Sequence, residues 1–174
     1  MIGFRHVDPA YPFLWEGPAQ PEGRWNRDGG SPTHYFADTP DGAWAEFLRH
    51  EEITDPIDLP GILRALWAVE LGDAPSTRPD MDFRVLTGGR DSYIACQEVA
   101  DAIRGRGEPG LTAPSAALLP AGARGSRVDS GMHDGPNRDG LVMVLFGARP
   151  DLVGWMAGLG RPDARLLPLV RQLS

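Results

Sequence analysis

The apolar runs of this chain come in clusters, and that clustering restricts its fold more than any other feature. Strand-like stretches from Gly3 to Val7 and His34 to Ala37 precede one helical segment; others, Leu111 to Leu119 and Leu141 to Phe146, follow a second. Strict alternation of strand and helix builds a parallel, doubly wound sheet, whereas grouped strands build an α+β fold. We therefore expect α+β. Ile62 to Leu71 reads as a central strand, Phe83 to Leu86 as a short strand, Pro150 to Ala157 as a short helix and Arg165 to Val170 as a final strand.

The two helices are the clearest elements. Thr39-Pro40 starts the first, because Thr can cap orphan amides and Pro at the first helical position gives up no hydrogen bond. It runs to about His50, and Ala43, Trp44, Phe47 and Leu48 form its apolar stripe. Glu46 lies off the centre of that stripe and can face either solvent or a cleft. The second helix spans Arg90 to Arg104, with Tyr93, Cys96, Val99, Ala100 and Ile103 on one face and Gly105 and Gly107 marking its end. Between Ala121 and Gly140 the chain is rich in Gly, Arg, Ser and Asp, too polar to pack and too long for a routine connection. We expect a flexible loop or lid there.

Composition narrows the function classes. At 174 residues the chain suits one domain spanning 1–174, and its net charge of −7 argues against direct nucleic-acid binding. All 17 basic residues are arginines, which excludes Schiff-base and P-loop lysine chemistry. The single cysteine, Cys96, leaves no intramolecular disulfide, and the four histidines lack compact ligand spacing, so no metal site is expected. No apolar run reaches membrane-spanning length and no signal peptide is evident at the start, so a cytoplasmic protein without a membrane partner is expected. The sequence leaves the oligomeric state open.

One segment supplies an unusual set of groups. Gly23-Arg24-Trp25-Asn26 puts an arginine on a loop, Thr33 to Ala37 carries Tyr35 on a strand, and Ala43-Trp44-Ala45-Glu46 puts a carboxylate on a helix. A nucleotide with a cationic ring needs a cation for its phosphates, an aromatic face and a carboxylate near the ribose. These residues can provide all three.

Together with Phe4-Arg5, Tyr35-Phe36-Ala37, Ala43 to Leu48, the helix from Tyr93 to Arg104 and Gly110-Leu111-Thr112-Ala113-Pro114-Ser115-Ala116, the Gly-Arg-Trp-Asn motif makes the chain resemble the RES domain family. That family is named for an arginine, a glutamate and a serine. The resemblance implies an ADP-ribosyltransferase-like split β-sheet flanked by helices, and the toxin half of a bacterial toxin–antitoxin pair. Such toxins act on NAD as substrate, cleaving the ribosyl–nicotinamide bond by hydrolysis or phosphorolysis, or transferring ADP-ribose to a protein. The implied partner is a separate Xre-like helix-turn-helix antitoxin. The resemblance implies Glu46, Arg24 and Ser115 as catalytic residues. Arg5, Arg24, Tyr35, Trp25 and Ser115 are the implied NAD-binding residues. The last third departs from the family pattern, because no Asn-Pro stretch follows the serine, and His133 and Asn137 receive no role. A catalytically silent nucleotide-binding or interaction module is the alternative of another class.

Overall fold

The computed structural model describes residues 1–14, 16–17, 20–73 and 75–173, and Trp15 lies outside them. The strands are β1 (Ile2–Val7), β2 (Thr33–Ala37), β3 (Arg64–Glu70), β4 (Gly110–Pro114), β5 (Ala123–Val128), β6 (Met132–Arg138), β7 (Leu141–Phe146) and β8 (Val153–Gly160). The α-helices are α1 (Pro40–His50), α2 (Phe83–Thr87) and α3 (Tyr93–Gly105). Six strands form one sheet in the order β4-β7-β2-β1-β3-β8, and every neighbouring pair in it is antiparallel. The architecture is the expected α+β.

β7 explains how the sheet is buried. Its side chains alternate faces along the strand. Val142 and Val144 pack with Trp25, Cys96, Ala100 and Leu111 under α2 and α3. Met143 and Leu145 join Phe36, Val69 and Leu71 on the other face. A third cluster joins Ala45 and Leu48 of α1 to Leu118, Leu166 and Val170. The sheet is weakest in its middle. β1 and β3 pair along six positions, whereas β1 and β2 share only the Phe4–Ala37 pair. The sheet splits there, as the resemblance implied.

Six expectations need correction. Phe83 to Leu86 is not a strand but the start of α2, because the Asp82 side chain accepts a hydrogen bond from the Arg84 N–H and caps a helical turn. Pro150 to Ala157 is not a helix: the chain extends into β8 because the free edge of β3 offers seven register partners. Arg165 to Val170 is a 3₁₀ helix over Ala164–Leu169, capped by Asp163, which turns Leu166 and Leu167 into the core. Ala121 to Gly140 is a two-stranded ribbon of β5 and β6 in place of a loop, reversing through Ser130 and Gly131 at positive φ. Ile62 to Leu71 does hold a strand, β3, but it lies second from the sheet edge and not at its centre. The strand expected from Leu111 to Leu119 stops at Pro114, beyond which the chain turns on Ser115.

Candidate active site

The splitting of β1 from β2 opens a cavity of about 850 Å³. Arg5, His6 and Val7 line one side, Tyr35 to Ala37 the other, and Ala43, Glu46, Arg49 and His50 of α1 close it from a third direction. The cleft thus receives the edge of the α1 apolar stripe together with the polar residues one turn along. Of the two orientations open to Glu46 in the sequence, the structure selects the cleft.

The Gly-Arg-Trp-Asn motif is a tight turn in which each residue has a physical task. Gly23 and Asn26 exchange backbone hydrogen bonds of 3.0 and 3.3 Å. A Cβ on Gly23 would stand 2.6 Å from Asn26 Oδ1 and 2.8 Å from the Tyr35 hydroxyl, so any larger residue would displace both partners of that hydrogen bond. The Tyr35 hydroxyl donates to Asn26 Oδ1 (2.7 Å) and accepts from the Trp25 N–H (2.9 Å), tying the turn to β2. Burial pushes the Tyr35 phenol above its ordinary range, so it remains a neutral donor. Trp25 borders the cavity while its side chain is buried among α3 and β4 residues. Gln97 of α3 donates to the carbonyls of Gly23 and Asn26 and fixes the turn from behind.

Arg24 reaches from this turn to the connection between α2 and α3. Its guanidinium donates to the carbonyls of Val85 (3.1 Å) and Gly88 (2.6 Å) and to Ser92 Oγ (2.7 Å), and it lies 5.0 Å from the centre of the Tyr93 ring. Arg49 donates to the same Gly88 carbonyl (2.5 Å) and to the Ala116 carbonyl. Two guanidinium groups therefore converge on one oxygen at the cleft floor, and the Arg49 Nε is buried without a partner.

Glu46 sits beside this pair. Ser115 Oγ donates to Glu46 Oε1 (3.3 Å) while accepting from the Ala117 and Leu118 N–H groups. Ser115 thus lies behind Glu46, outside the lining of the cavity, and orients the carboxylate. Burial raises the Glu46 carboxyl above the usual range, and the charges of Arg49 and then Arg24, the Ser115 bond and His50 oppose that rise. Arg5 lines the opposite wall with a buried, unpartnered Nη1, and burial lowers its pKa to about 10, leaving it cationic at neutral pH. His6 is held down at about 3 by burial, then by Arg64, Arg5 and His50, and its neutral ring stacks near Trp44.

Sequence reasoning passed over Arg49, His6, Arg64 and Tyr93 as cleft residues. For Arg49 a signal existed: it stands three residues after Glu46, one turn along the same helix. His6 and Arg64 are carried in on strands, where no local pattern distinguishes a cleft from a core. His133 and Asn137 sit on β6, where His133 Nε2 pairs with the Asp129 carbonyl (2.8 Å) and Asn137 Oδ1 accepts from the Gly125 N–H (3.2 Å); neither lines the cleft. Among the described residues no group of His, Cys, Asp or Glu could hold a metal ion, and no helix is long and apolar enough to cross a membrane.

The cleft inverts the charge of the molecule. Arg5, Arg24, Arg49 and Arg64 face only the carboxylates of Glu46, Asp8 and Glu22 in a chain of net charge −7. Such a lining attracts an anion while keeping the Glu46 carboxylate among the arginines.

The model of the RES domain matches residues 3–155, and the chain belongs to the RES domain family. Its fold is similar to that of a chain in the crystal structure of the Mycobacterium tuberculosis MbcT–MbcA toxin–antitoxin complex. The TM-score is 0.62 at 18% identity, over 96% of this chain and 86% of that one. A comparison with curated protein sequences gave no match.

Proposed function

We propose that this protein is the toxin of a toxin–antitoxin pair and that it consumes NAD by cleaving the ribosyl–nicotinamide bond. The observation that carries this reading is the Glu46 carboxylate, oriented by Ser115 in a cleft whose other charges are mainly arginine. Membership of the RES domain family and the likeness to a toxin–antitoxin structure support the biological role.

In this reading the bond from the ribose carbon to the nicotinamide nitrogen breaks, and its electron pair leaves with the ring. Positive charge develops on the ribose, as in glycoside cleavage. Glu46 accepts a hydrogen bond from a ribose hydroxyl and offsets that charge. Arg5, whose Nη1 has no protein partner, pairs with the pyrophosphate oxygens through its planar guanidinium, and Arg24, whose donors hold the Val85, Gly88 and Ser92 oxygens, adds positive charge beside them. Tyr35 and Trp25 supply aromatic walls, and Ser115 keeps Glu46 in place. The acceptor oxygen, from water, phosphate or a protein side chain, forms the new bond to ribose and releases its proton to solvent.

Incubating the protein with NAD labelled in its adenosine half tests the reading and separates the acceptors. Free ADP-ribose marks hydrolysis, a phosphorylated ADP-ribose formed only with phosphate present marks phosphorolysis, and label retained on protein marks transfer. NAD undiminished with and without phosphate or protein acceptors sinks the proposal. If NAD is bound but never consumed, the silent-module alternative takes its place. The antitoxin is proposed to be an Xre-like helix-turn-helix protein, and co-expression with it should relieve growth arrest.

A further inference from the structure

The six-stranded sheet ends in two edges that are treated differently. On the β4 side the Thr112 N–H donates to the Thr77 carbonyl (2.9 Å), Thr112 Oγ1 donates to the Pro75 carbonyl (2.7 Å), and Pro114 closes the strand. That edge is covered. β8 is the other edge, and among the described residues its backbone pairs with β3 alone.

β8 reads Val-Gly-Trp-Met-Ala-Gly-Leu-Gly, with no charge and no proline. Val153 (53%), Trp155 (53%), Met156 (49%) and Leu159 (59%) are all solvent-exposed. A long apolar edge without charged or proline residues is a template for pairing with another strand.

The flanks of β8 state which strand. Arg149-Pro150-Asp151 precedes it and Arg161-Pro162-Asp163 follows it. When two copies run antiparallel with Met156 on the axis, Asp151 of one stands opposite Arg161 of the other, and Arg149 opposite Asp163, each contact occurring twice. An in-register parallel pairing would set like charges against each other. Asp151 and Asp163 have side chains 62% and 64% exposed. Within the chain Arg149 pairs with Asp151 and Arg165 with Asp163, whereas Arg161 is exposed and has no ion pair among the described residues. The flanking charges are therefore self-complementary under a two-fold axis, which is the requirement of a symmetric dimer interface.

We infer that β8 is a dimerisation edge, through which two copies of this chain join their sheets antiparallel, with Asp151 and Arg161 fixing the register. The β3–β8 register shift at Leu66 and Trp67 lies beside the axis, so the main-chain ladder runs on either side of it.

Sedimentation velocity of the full chain over a range of concentrations tests the proposal. The wild type should pass from the 18.9 kDa monomer to twice that mass as concentration rises, and high salt should weaken the dimer. Asp151→Arg and Arg161→Asp should each weaken it by about tenfold, since two attractions become repulsions. The double variant should recover to within about threefold of the wild type. Trp155→Lys should leave monomer only. A chain monomeric at every concentration overturns the inference, as does a dimer indifferent to all these changes. Loss in the single variants without recovery in the double one overturns the two-fold register. A monomer that pairs along β8 only with a different protein overturns the second copy as occupant.

Discussion

Burial raises the Glu46 carboxyl, and Arg49, one helical turn along, contributes the largest opposing pull. The two residues therefore set the acid limb of any activity that requires an ionised Glu46. Removing a cation raises a neighbouring carboxyl, so Arg49→Gln should move the acid limb of the pH–rate profile to higher pH. Arg49→Lys, which keeps the charge, should leave that limb near the wild-type position even if the rate falls. Equal limbs in all three proteins would show that Arg49 only braces the Ala116 and Gly88 carbonyls. Arg24 and Ser115 divide the remaining work. One reaches across the cleft floor to the α2–α3 connection, and the other holds the carboxylate from behind.

The presentation of Glu46 depends on where α1 begins. Thr39 Oγ1 accepts from the Gly42 N–H at 3.0 Å, and Pro40 takes the first helical position, where its missing N–H costs nothing. Thr39→Ala should cost about 1 kcal/mol of unfolding free energy, measured by urea denaturation. A cost near zero would mean that packing of Ala45, Phe47 and Leu48 alone fixes the helix. This start was legible in the sequence because cap, proline and apolar stripe agree. The 3.6-residue period likewise marked α3, β7 was legible as an apolar run, and β1 and β2 as short strand-like stretches. β8 was not, because its extension depends on the unpaired edge of β3, which no local window contains. The β5–β6 ribbon has no buried face, so the polar/apolar alternation that identifies a strand is absent. At Phe83 the short Phe-Arg-Val-Leu stretch fits strand or helix equally, and the Asp82 cap decides it. The cleft was half legible: Arg24, Tyr35 and Glu46 lie close in sequence, whereas Arg64 and Tyr93 arrive through long-range packing.

The molecule as a whole places a basic cleft inside an acidic protein, and the split between β1 and β2 makes room for it. The same split buries His6 as a neutral ring beside Arg64 and Phe47. Its folded pKa of about 3 lies below the ordinary 6.5. The stability of the neutral form is thus complete above pH 6.5 and is lost as pH falls from there toward 3. The loss is on the order of a few kcal/mol. His6→Phe, which cannot be protonated, should flatten the decline of unfolding free energy over that window; an unchanged slope would place the acid sensitivity elsewhere.

The proposed cleavage of NAD turns on the Glu46 carboxylate in this cleft. Its most direct test is the rate of nicotinamide release from NAD by the wild type and by Glu46→Gln, with phosphate present and absent, alongside NAD binding by calorimetry. Glu46→Gln can keep the contact with Ser115 but removes the charge. The wild type should release nicotinamide, and the variant should lose roughly 10²–10³-fold of that rate with binding largely retained. Equal rates in the two proteins, or no release by the wild type under either condition, would contradict the proposal.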